Sequence, residues 1–389
     1  MKVLSIGTDR KLFEENSVVL SRSLEYAKKM EELHIIVFSL KNHNLKSRQI
    51  GNLYLYPTNS FSRWTYFLGA YSLGKKIIIE NKFVRGLSVI TAQDPSETGF
   101  VGWLLKTKFR LPLQLQIHTD SLDQHFKNSF LNHVRVILAK FLIPKADGLR
   151  VVSDKIASSL IKSFSNLKIK PTILPVFVDV SYIENTPITK DLKKEFPQFT
   201  FIIFMASRLT KEKKIDTALY ALKDIVNNFP KTGLIIAGDG SEKNYLENLT
   251  KTLEISKNVI FIGWQNDLIS YYKTANVFWL TSVYEGYGMT IIEAYSAGCP
   301  VVTTDVGIAH DLFIDGENAF ICPIGDVGCF TRHTTELMTD GSKRELFKHK
   351  IKDSIKDTVI SREEYVIRYV SLLEDLLKKN KFFDKNSAK

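Results

Sequence analysis

Short, nearly continuous apolar segments alternate along the whole chain with longer stretches in which apolar residues recur every three or four positions. Continuous apolar segments of this kind are typical of parallel strands that are buried on both faces. Seven such segments occur in the first half and six in the second: Val3–Ile6, His34–Leu40, Asn52–Tyr56, Leu87–Thr91, Leu113–His118, Gly148–Ser153, Thr172–Val176, Phe199–Ala206, Gly233–Ala237, Asn258–Ile262, Asn276–Thr281, Pro300–Thr304 and Ala319–Cys322. Two successive β-α series predict an α/β protein with two doubly wound, Rossmann-like domains.

The apolar pattern also indicates where the domains divide. It lapses near Asp179–Phe196, so we predict a first domain over residues 1–180 and a second over residues 181–362. Residues 363–389 begin with the apolar spacing of one amphipathic helix, which we expect to cross back to the first domain. Ligands of doubly wound folds bind at the carboxyl ends of the strands, so we expect the two domains to face each other across a ligand cleft.

Composition excludes several classes of protein. With 44% hydrophobic and 24% charged residues, the chain is neither disordered nor collagen-like. No uncharged apolar run reaches the ~18–20 residues of a spanning helix, and Met1–Gly7 is too short for a signal peptide. The three cysteines, Cys299, Cys322 and Cys329, are odd in number and lack metal-ligand spacing. We therefore expect reduced thiols, no disulfide bonds and a cytoplasmic protein.

The net charge of +11 is concentrated in the first half of the chain. Residues 1–180 hold 26 Lys and Arg against 14 Asp and Glu, whereas the rest of the chain is nearly neutral. Such asymmetry favours an anionic partner: nucleic acid, a phosphorylated substrate or an anionic membrane surface. A lysine-rich surface that serves only solubility explains it equally well. Because the cations are dispersed without a recognised motif, we expect no nucleic-acid partner.

The most informative segment runs from Ser282 to Ala294, which follows an apolar strand and opens a helix. Its glycines allow a tight turn, and the amides from Gly288 to Thr290 are the free donors of a helix start, where phosphate binds. Glu285 lies in the loop and Glu293 about one turn into the helix. A carboxylate accepts two hydrogen bonds from neighbouring sugar hydroxyls, so both glutamates suit carbohydrate recognition.

The pair Glu285 and Glu293, spaced as E-x7-E, resembles that of the retaining glycosyltransferases of family 4, which have the two-domain GT-B fold. Further segments resemble that family in the same order: Ala206–Asp216, Ile235–Gly240, Phe261–Trp264, Ser296–Val302 and Asp315–Asn318. The first half is similar mainly in layout, at Ile117–Asp120 and Val151–Ser153. The resemblance implies transfer of a hexose-type sugar from a nucleoside diphosphate, with UDP and GDP both open, to a glycan, lipid-linked or other acceptor.

The resemblance also implies roles for single residues. Arg208 and Lys213 would bind the donor diphosphate, where negative charge builds as the glycosidic bond breaks. Glu285 would bind hydroxyls of the transferred sugar and act with His118, Arg208 and Lys213 in catalysis. Glu293 would bind the ribose. The remaining donor-binding candidates are Gly238, Gly263, Trp264, Tyr287, Gly288, Met289 and Thr290. No Asp-x-Asp motif or His/Cys cluster occurs, so we expect no metal and no cofactor.

Several segments depart from the family pattern. The usual Gly-Gly pair after the first strand is replaced by Gly7-Thr8, followed by Arg10 and Lys11. Lys214 replaces a glycine in the donor loop, and Gly307-Ile308 replaces a second Gly-Gly pair. These changes leave the acceptor open.

Two alternatives and one further hypothesis remain to be stated. An NAD-dependent oxidoreductase needs a G-x-G-x-x-G turn, and Gly7 stands without one. A non-catalytic sugar-nucleotide binder of the same fold remains open. Leu131–Lys145 has the pattern of a basic amphipathic helix, and Arg63–Lys76 combines cations and aromatics, so both stretches suit an anionic bilayer at the inner face of the membrane. The alternative is that both helices simply pack on the first sheet.

Overall fold

In the computed structural model the chain divides into two compact units. One comprises Met1–Pro175 with Ser361–Lys389, and the other comprises Val176–Ile360. The structure describes residues 1–123, 126–127, 129–165, 167–358 and 360–387, with the backbone alone for residues 351–358 and 381–387. The divisions fall five and two residues before the predicted boundaries at 180 and 362.

Fourteen strands are present in the described part of the chain: β1 Lys2–Gly7, β2 Glu32–Val37, β3 Arg48–Ile50, β4 Leu53–Pro57, β5 Ser88–Ala92, β6 Leu113–Ile117, β7 Gly148–Val151, β8 Thr172–Ile173, β9 Phe201–Ala206, β10 Thr232–Ala237, β11 Val259–Gly263, β12 Val277–Leu280, β13 Val301–Thr304 and β14 Phe320–Cys322. All thirteen predicted strands are among them. The additional strand, β3, pairs antiparallel with β4 across a two-residue turn at Gly51-Asn52.

The α-helices of the described residues follow the strands in alternation: α1 Val18–Lys28, α2 Tyr66–Glu80, α3 Glu97–Phe109, α4 Phe130–Leu142, α5 Asp154–Ser163, α6 Val180–Asn185, α7 Leu192–Glu195, α8 Ile215–Asn228, α9 Lys243–Thr252, α10 Ile269–Thr274, α11 Met289–Ser296, α12 Ala309–Leu312, α13 Val327–Thr339, α14 Gly341–Thr358 and α15 Arg362–Ser387. None of these helices is long and apolar enough to span a bilayer.

Each unit has its own sheet with the doubly wound strand order. The first sheet runs β3-β4-β2-β1-β5-β6-β7-β8, and all of its neighbouring strands are parallel except β3 and β4. The second runs β11-β10-β9-β12-β13-β14 and is parallel throughout. This order reverses between β9 and β12, and ligands of such sheets bind at the carboxyl ends of strands beside that reversal.

The nearly continuous burial of the strand residues explains why the sequence pattern predicted the strands. Every residue of β9, β10, β12 and β13 is buried, because helices cover both faces of the second sheet. Phe204, Tyr272 and Phe278 pack in one layer of that unit, while Trp279 and Phe330 pack in the other.

The C-terminal helix α15 packs on the first unit, as predicted. Arg362 donates to a carboxylate oxygen of Glu25 at 2.7 Å. The ring of Tyr369 stacks on Tyr26 with centroids 4.4 Å apart. Residues 361–389 thereby complete a domain that begins at residue 1.

The expectation of three reduced cysteines is wrong. Cys322 and Cys329 form a disulfide bond, with Cα atoms 5.8 Å apart, and only Cys299 is a free, buried thiol. Cys322 ends β14 and Cys329 lies in the first turn of α13, where the side chain of Asp326 accepts from the Cys329 amide. The capped β-α turn therefore brings together two thiols that are seven residues apart in sequence.

Candidate active site

The loops that follow β9 and β12 are joined at the carboxyl edge of the second sheet. The Val283 amide donates to the carbonyl oxygen of Glu212 at 2.9 Å. The Thr281 hydroxyl donates to the carbonyl oxygen of Lys213 at 2.8 Å. Because β9 and β12 are neighbours across the reversal of strand order, segments about 70 residues apart in sequence become one surface.

Lys213 and Glu285, both predicted site residues, form an ion pair on this surface. Lys213 Nζ lies 2.7 Å from Glu285 Oε1, and the two side chains are 12% and 13% exposed. The Ser282 hydroxyl donates to the same Oε1 atom at 2.7 Å, and the Thr304 hydroxyl donates to the Ser282 carbonyl at 2.6 Å. Both charges are therefore held in fixed positions with little contact to water.

Arg208 lies on the same loop as Lys213 and is far more accessible. Its side chain is 67% exposed, and its Nη2 atom is 3.4 Å from Glu212 Oε1. Glu212 Oε1 also accepts from the Thr210 hydroxyl at 2.7 Å. An exposed ion pair of this length contributes little to stability, so the guanidinium is available to an anion.

The start of α11 has the features that the sequence predicts for a phosphate site. Gly288 precedes the helix with φ of 90°, in the left-handed region that favours glycine. Among the described residues no side chain caps this helix, so the amides of Met289 and Thr290 in its first turn remain open to an anion.

Glu293, one turn further along α11, is partly buried and has one hydrogen-bond donor. The hydroxyl of the fully buried Tyr272 donates to Glu293 Oε2 at 3.2 Å. Burial raises the pKa of Glu293 above its usual range, and the Tyr272 hydrogen bond opposes this shift only in part. Within the described structure Oε1 of Glu293 has no partner, which leaves it for ligand hydroxyls.

Gly238 and Gly263 hold three strand ends together. The Gly238 amide donates to the Gly263 carbonyl oxygen at 2.8 Å. Gly238 has φ of 139°, and a Cβ atom there would collide with the Ser207 carbonyl oxygen. Only glycine therefore allows the loops after β9 and β10 to approach this closely. Trp264, which follows Gly263, is 66% exposed, so its ring is not a core residue.

His118 belongs to the other unit, at the position after β6. It is half-buried, and its Nε2 atom lies 3.4 Å from Gln116 Oε1. Burial, and then the positive charges of Arg150 and Arg22, lower the pKa of His118 to about 3. The ring is therefore neutral at ordinary pH.

The structure thus groups the predicted residues unequally. Lys213 and Glu285 are in direct contact, and Arg208 lies on the same loop as Lys213, where it contacts Glu212. The predicted residues from Tyr287 to Glu293 follow on the same loop and helix, whereas Gly238, Gly263 and Trp264 follow β10 and β11. His118 is in the first unit.

Sequence reasoning missed the residues that support these candidates: Thr281, Ser282 and Tyr272 in the second unit and Gln116 and Arg150 in the first. Ser282 had a signal, since it stands three positions before Glu285 in the same loop. Tyr272 and Arg150 had none, because Glu293, the partner of Tyr272, is 21 residues away in sequence and the partners of Arg150 are 24 or more residues away.

Comparisons with known proteins identify a similar fold and similar sequences. The strand orders define a two-domain α/β protein with the GT-B fold, which is shared with a solved structure of HepE from Anabaena in complex with UDP and glucose. That structure has 19% sequence identity and a TM-score of 0.74, and the match covers 96% of this chain and 100% of HepE. Residues 188–354 match the family described as glycosyl transferases group 1.

Curated relatives are glycosyltransferases by name. An uncharacterized glycosyltransferase of Methanocaldococcus jannaschii is 28% identical over 243 residues, which are 60% of this chain and 58% of that protein. The alpha-monoglucosyldiacylglycerol synthase of Streptococcus pneumoniae is 26% identical over 243 residues, 59% of this chain and 54% of the synthase. The chain thus spans little more than half the length of these relatives. The match to the family lies entirely within the second unit.

Proposed function

We propose that the protein is a retaining glycosyltransferase that moves a hexose-type sugar from a nucleoside diphosphate to an acceptor hydroxyl without a metal ion. The observation that carries the proposal is the buried pair of Lys213 and Glu285 beside the uncapped start of α11. The resemblance of Glu285 and Glu293 to the E-x7-E pair of family 4 supports it, as does the HepE complex with UDP and glucose.

The donor binds through three kinds of contact. Lys213, Arg208 and the first amides of α11 neutralise the diphosphate, and Lys213 exchanges its Glu285 partner for a phosphate oxygen. Glu285, released from Lys213, accepts hydrogen bonds from hydroxyls of the sugar. Glu293 accepts from the ribose hydroxyls through its unpartnered Oε1, and the exposed ring of Trp264 borders the base.

The chemical step breaks the bond between the anomeric carbon and the leaving phosphate oxygen. The acceptor oxygen forms the new bond on the face that the nucleotide leaves, and its proton passes to the departing phosphate. Negative charge grows on the nucleoside diphosphate during this step, and the cations of Arg208 and Lys213 stabilise it. Placed beforehand at 2.7 Å from a carboxylate, Lys213 needs no large rearrangement to act.

A ligand panel and product stereochemistry test this proposal. UDP, GDP, ADP and their sugars are compared by thermal shift, since a ligand that binds only the folded state raises the midpoint. We expect one nucleoside diphosphate to raise it and the Lys213→Ala variant to lose that response. Turnover giving the retained anomer by NMR, unchanged by EDTA, supports the reaction. An inverted product, or EDTA inhibition reversed by a divalent ion, contradicts it. Binding without transfer to any acceptor favours the non-catalytic alternative.

We also propose that the first unit contacts an anionic bilayer at the inner face of the membrane and that the acceptor is lipid-linked. Helix α4 buries Val136, Ala139 and Leu142, whereas its opposite stripe is exposed: Phe130, Val134, Ile137 and Phe141. Phe130 and Ile137 are 81% and 68% exposed. The alternative that this helix simply packs on the sheet therefore accounts for one of its faces only.

Basic side chains accompany this apolar stripe. Lys145 lies over the Phe141 ring, 4.3 Å from its centroid, and Lys140 is exposed. The second basic and aromatic stretch, Arg63–Lys76, exposes Trp64. Phe61, two residues before it, is also exposed, and Lys41 lies over the Phe61 ring. Apolar side chains with neighbouring cations suit the interface of an anionic bilayer. The name of the Streptococcus pneumoniae synthase, with diacylglycerol in it, is consistent with a lipid acceptor.

Liposome flotation tests the surface. We expect vesicles with phosphatidylglycerol to carry the protein at low salt, and the Phe130→Ser/Ile137→Ser variant to lose at least tenfold in binding. The Tyr245→Ser/Ile314→Ser variant, which removes two exposed apolar residues of the second unit, is the matched control. Equal binding by both variants, or no binding at low salt, contradicts the membrane surface and leaves the transferase proposal intact.

A further inference from the structure

A polar cluster lies at the carboxyl ends of β6 and β7, under helix α15. Gln116 lies on β6 and His118 directly follows that strand, with Gln116 Oε1 3.4 Å from His118 Nε2. Arg150 lies on β7, and Tyr365 and Tyr369 reach the same cluster from α15. The contacts of Gln116 and Arg150 in this cluster are to residues of the first unit.

Arg150 is a buried cation without a carboxylate partner in the described part of the chain. It is 4% exposed, and its contacts are uncharged. Nη1 donates to Gln116 Oε1 at 2.6 Å, and Nη2 donates to the Tyr365 hydroxyl at 2.7 Å and to the carbonyl oxygens of Leu174 and Pro175. A guanidinium only donates hydrogen bonds, so the Gln116 atom that faces it must be the oxygen.

The other end of the Gln116 amide agrees with this orientation. Its Nε2 atom donates to the Thr91 hydroxyl oxygen at 2.9 Å and to the Tyr369 hydroxyl oxygen at 3.2 Å. Thr91 in turn donates to Gln114 Oε1 at 3.3 Å. Flipping the amide would place its NH2 group against the Arg150 guanidinium, so the chemistry of the neighbours settles the orientation.

The orientation of the Gln116 amide determines which ring nitrogen of His118 carries the proton. Gln116 Oε1 accepts only, and His118 Nε2 is 3.4 Å away from it. A proton on Nε2 makes this contact attractive, whereas a bare Nε2 would set two lone pairs against each other. In the neutral ring the proton is then absent from Nδ1, which becomes a hydrogen-bond acceptor.

We propose that Gln116 is a positioning residue that holds His118 as the neutral Nε2–H tautomer, so that Nδ1 accepts a hydrogen bond from a hydroxyl of the ligand that the first unit binds. The identity of that ligand, a sugar or acceptor, rests on the proposed function. The tautomer rests on the first unit alone.

The surroundings of His118 keep its imidazole ring in the neutral form. Burial and the positive charges of Arg150 on β7 and Arg22 on α1 lower the pKa of His118 to about 3. Among the described residues, Tyr26 on α1 and Tyr365 and Tyr369 on α15 also face the cluster. Burial raises the pKa values of Tyr26 and Tyr369, so they add no negative charge. His118 therefore works as an acceptor and not as a general acid near neutral pH.

Nuclear magnetic resonance of the ligand-free full chain tests the tautomer. With 15N-histidine labelling, two-bond proton–nitrogen correlations distinguish protonated from bare ring nitrogens, and a His118→Asn sample assigns one of the eight histidines. We expect a protonated Nε2, a bare Nδ1 and no titration from pH 8 to pH 5. A proton on Nδ1, or a titration midpoint near the ordinary value of about 6.5, overturns the proposal.

Two variants then separate positioning from structure. Gln116→Glu gives His118 an anionic neighbour, so we expect its pKa to rise into the range of about 5 to 8. Gln114→Glu, on the same face two residues earlier and also buried, contacts Thr91 and is the matched control. We expect its His118 signals to match the wild type. Equal responses of both variants overturn the proposal; if Gln116→Glu does not fold, the wild-type spectrum still decides. No ligand is present, so failure of the proposed transferase activity does not alter these readings.

Discussion

The candidate site of the second unit holds a lysine and a glutamate as an opposite-sign pair, whereas the polar cluster of the first unit buries a cation among neutral groups. Lys213 and Glu285 face each other at 2.7 Å, and a phosphate can take the place of the carboxylate. Arg150 contacts an amide, a hydroxyl and carbonyl oxygens. In our proposals, the first arrangement exchanges partners when the donor diphosphate binds, and the second fixes hydrogen-bond directions and the position of the His118 proton. Equivalent substitutions in the two regions should therefore have different consequences.

The largest expected effect is on turnover, from Lys213→Ala. Removing the cation that stabilises the leaving diphosphate should lower kcat on the order of a hundredfold or more, about 3 kcal/mol in the transition state. Lys211→Ala, an exposed lysine of the same loop, is the control and should retain near-normal kcat. Steady-state kinetics with the donor found in the ligand panel decide this. Near-normal turnover of folded Lys213→Ala would show that the site is misassigned.

Substituting Met for Arg150 and for Arg208 distinguishes an effect on stability from an effect on turnover. Arg150→Met removes the guanidinium that donates to the Gln116 oxygen and the Tyr365 hydroxyl in a buried place, so we expect a loss of about 3 kcal/mol in the free energy of unfolding. Arg208→Met removes an exposed side chain, so we expect less than about 0.5 kcal/mol there, with a kcat loss like that of Lys213→Ala. Urea denaturation measures both. Similar losses in the free energy of unfolding for the two variants would contradict the proposed difference between the two regions.

Glu293 provides a pH test of the second region. Glu293→Ala should weaken nucleotide binding by roughly 1–3 kcal/mol, the scale of hydrogen bonds to a charged group. Because burial raises the pKa of Glu293, wild-type affinity should fall as the pH is lowered through that raised value, at higher pH than for an exposed glutamate. Calorimetry between pH 7.5 and pH 5 measures this. The Glu293→Gln variant should lack the dependence, and a wild-type profile as flat as that of the variant would contradict the role.

Tyr272→Phe should have the smallest effect. The variant loses one hydrogen bond to Glu293, so nucleotide affinity should fall by about 1 kcal/mol. Since that bond opposes the rise in the pKa of Glu293, its loss should move the fall in affinity to still higher pH. Tyr271→Phe, the adjacent buried tyrosine that contacts Gln265 and Lys190, is the control and should leave the pH profile unchanged. An unchanged profile in both variants would mean that Tyr272 does not act on Glu293.

The local pattern of apolar residues predicted most of the fold because strands that are buried on both faces of a sheet consist of continuous apolar segments. β3 escaped because its three residues, Arg48 to Ile50, lie at a sheet edge and are not buried, although Gly51-Asn52 is a hairpin signal. The disulfide bond was not predicted because a spacing of seven residues does not by itself bring two cysteines together. The turn from β14 to α13 does so only in the folded protein.

The candidate site was predictable in its motifs and not in its contacts. Glu285, Gly288 and Glu293 stand within nine residues, so their spacing alone indicated a strand–loop–helix site. The pairing of Lys213 with Glu285 depends on β9 and β12 being neighbours, which follows from the strand order. Arg150 entered the sequence analysis only as one more positive charge, since its burial depends on α15, more than 200 residues later.

The position of α15 has a consequence for synthesis on the ribosome. The Tyr365 hydroxyl that accepts from Arg150 is 215 residues downstream, so the first unit emerges long before its last helix exists. The second unit, continuous from Val176 to Ile360, is complete earlier than the first. The first unit can therefore complete its fold only after the second unit has been synthesised. Until α15 is synthesised, Arg150, Gln116 and the face of the sheet beneath α15 lack their contacts with that helix.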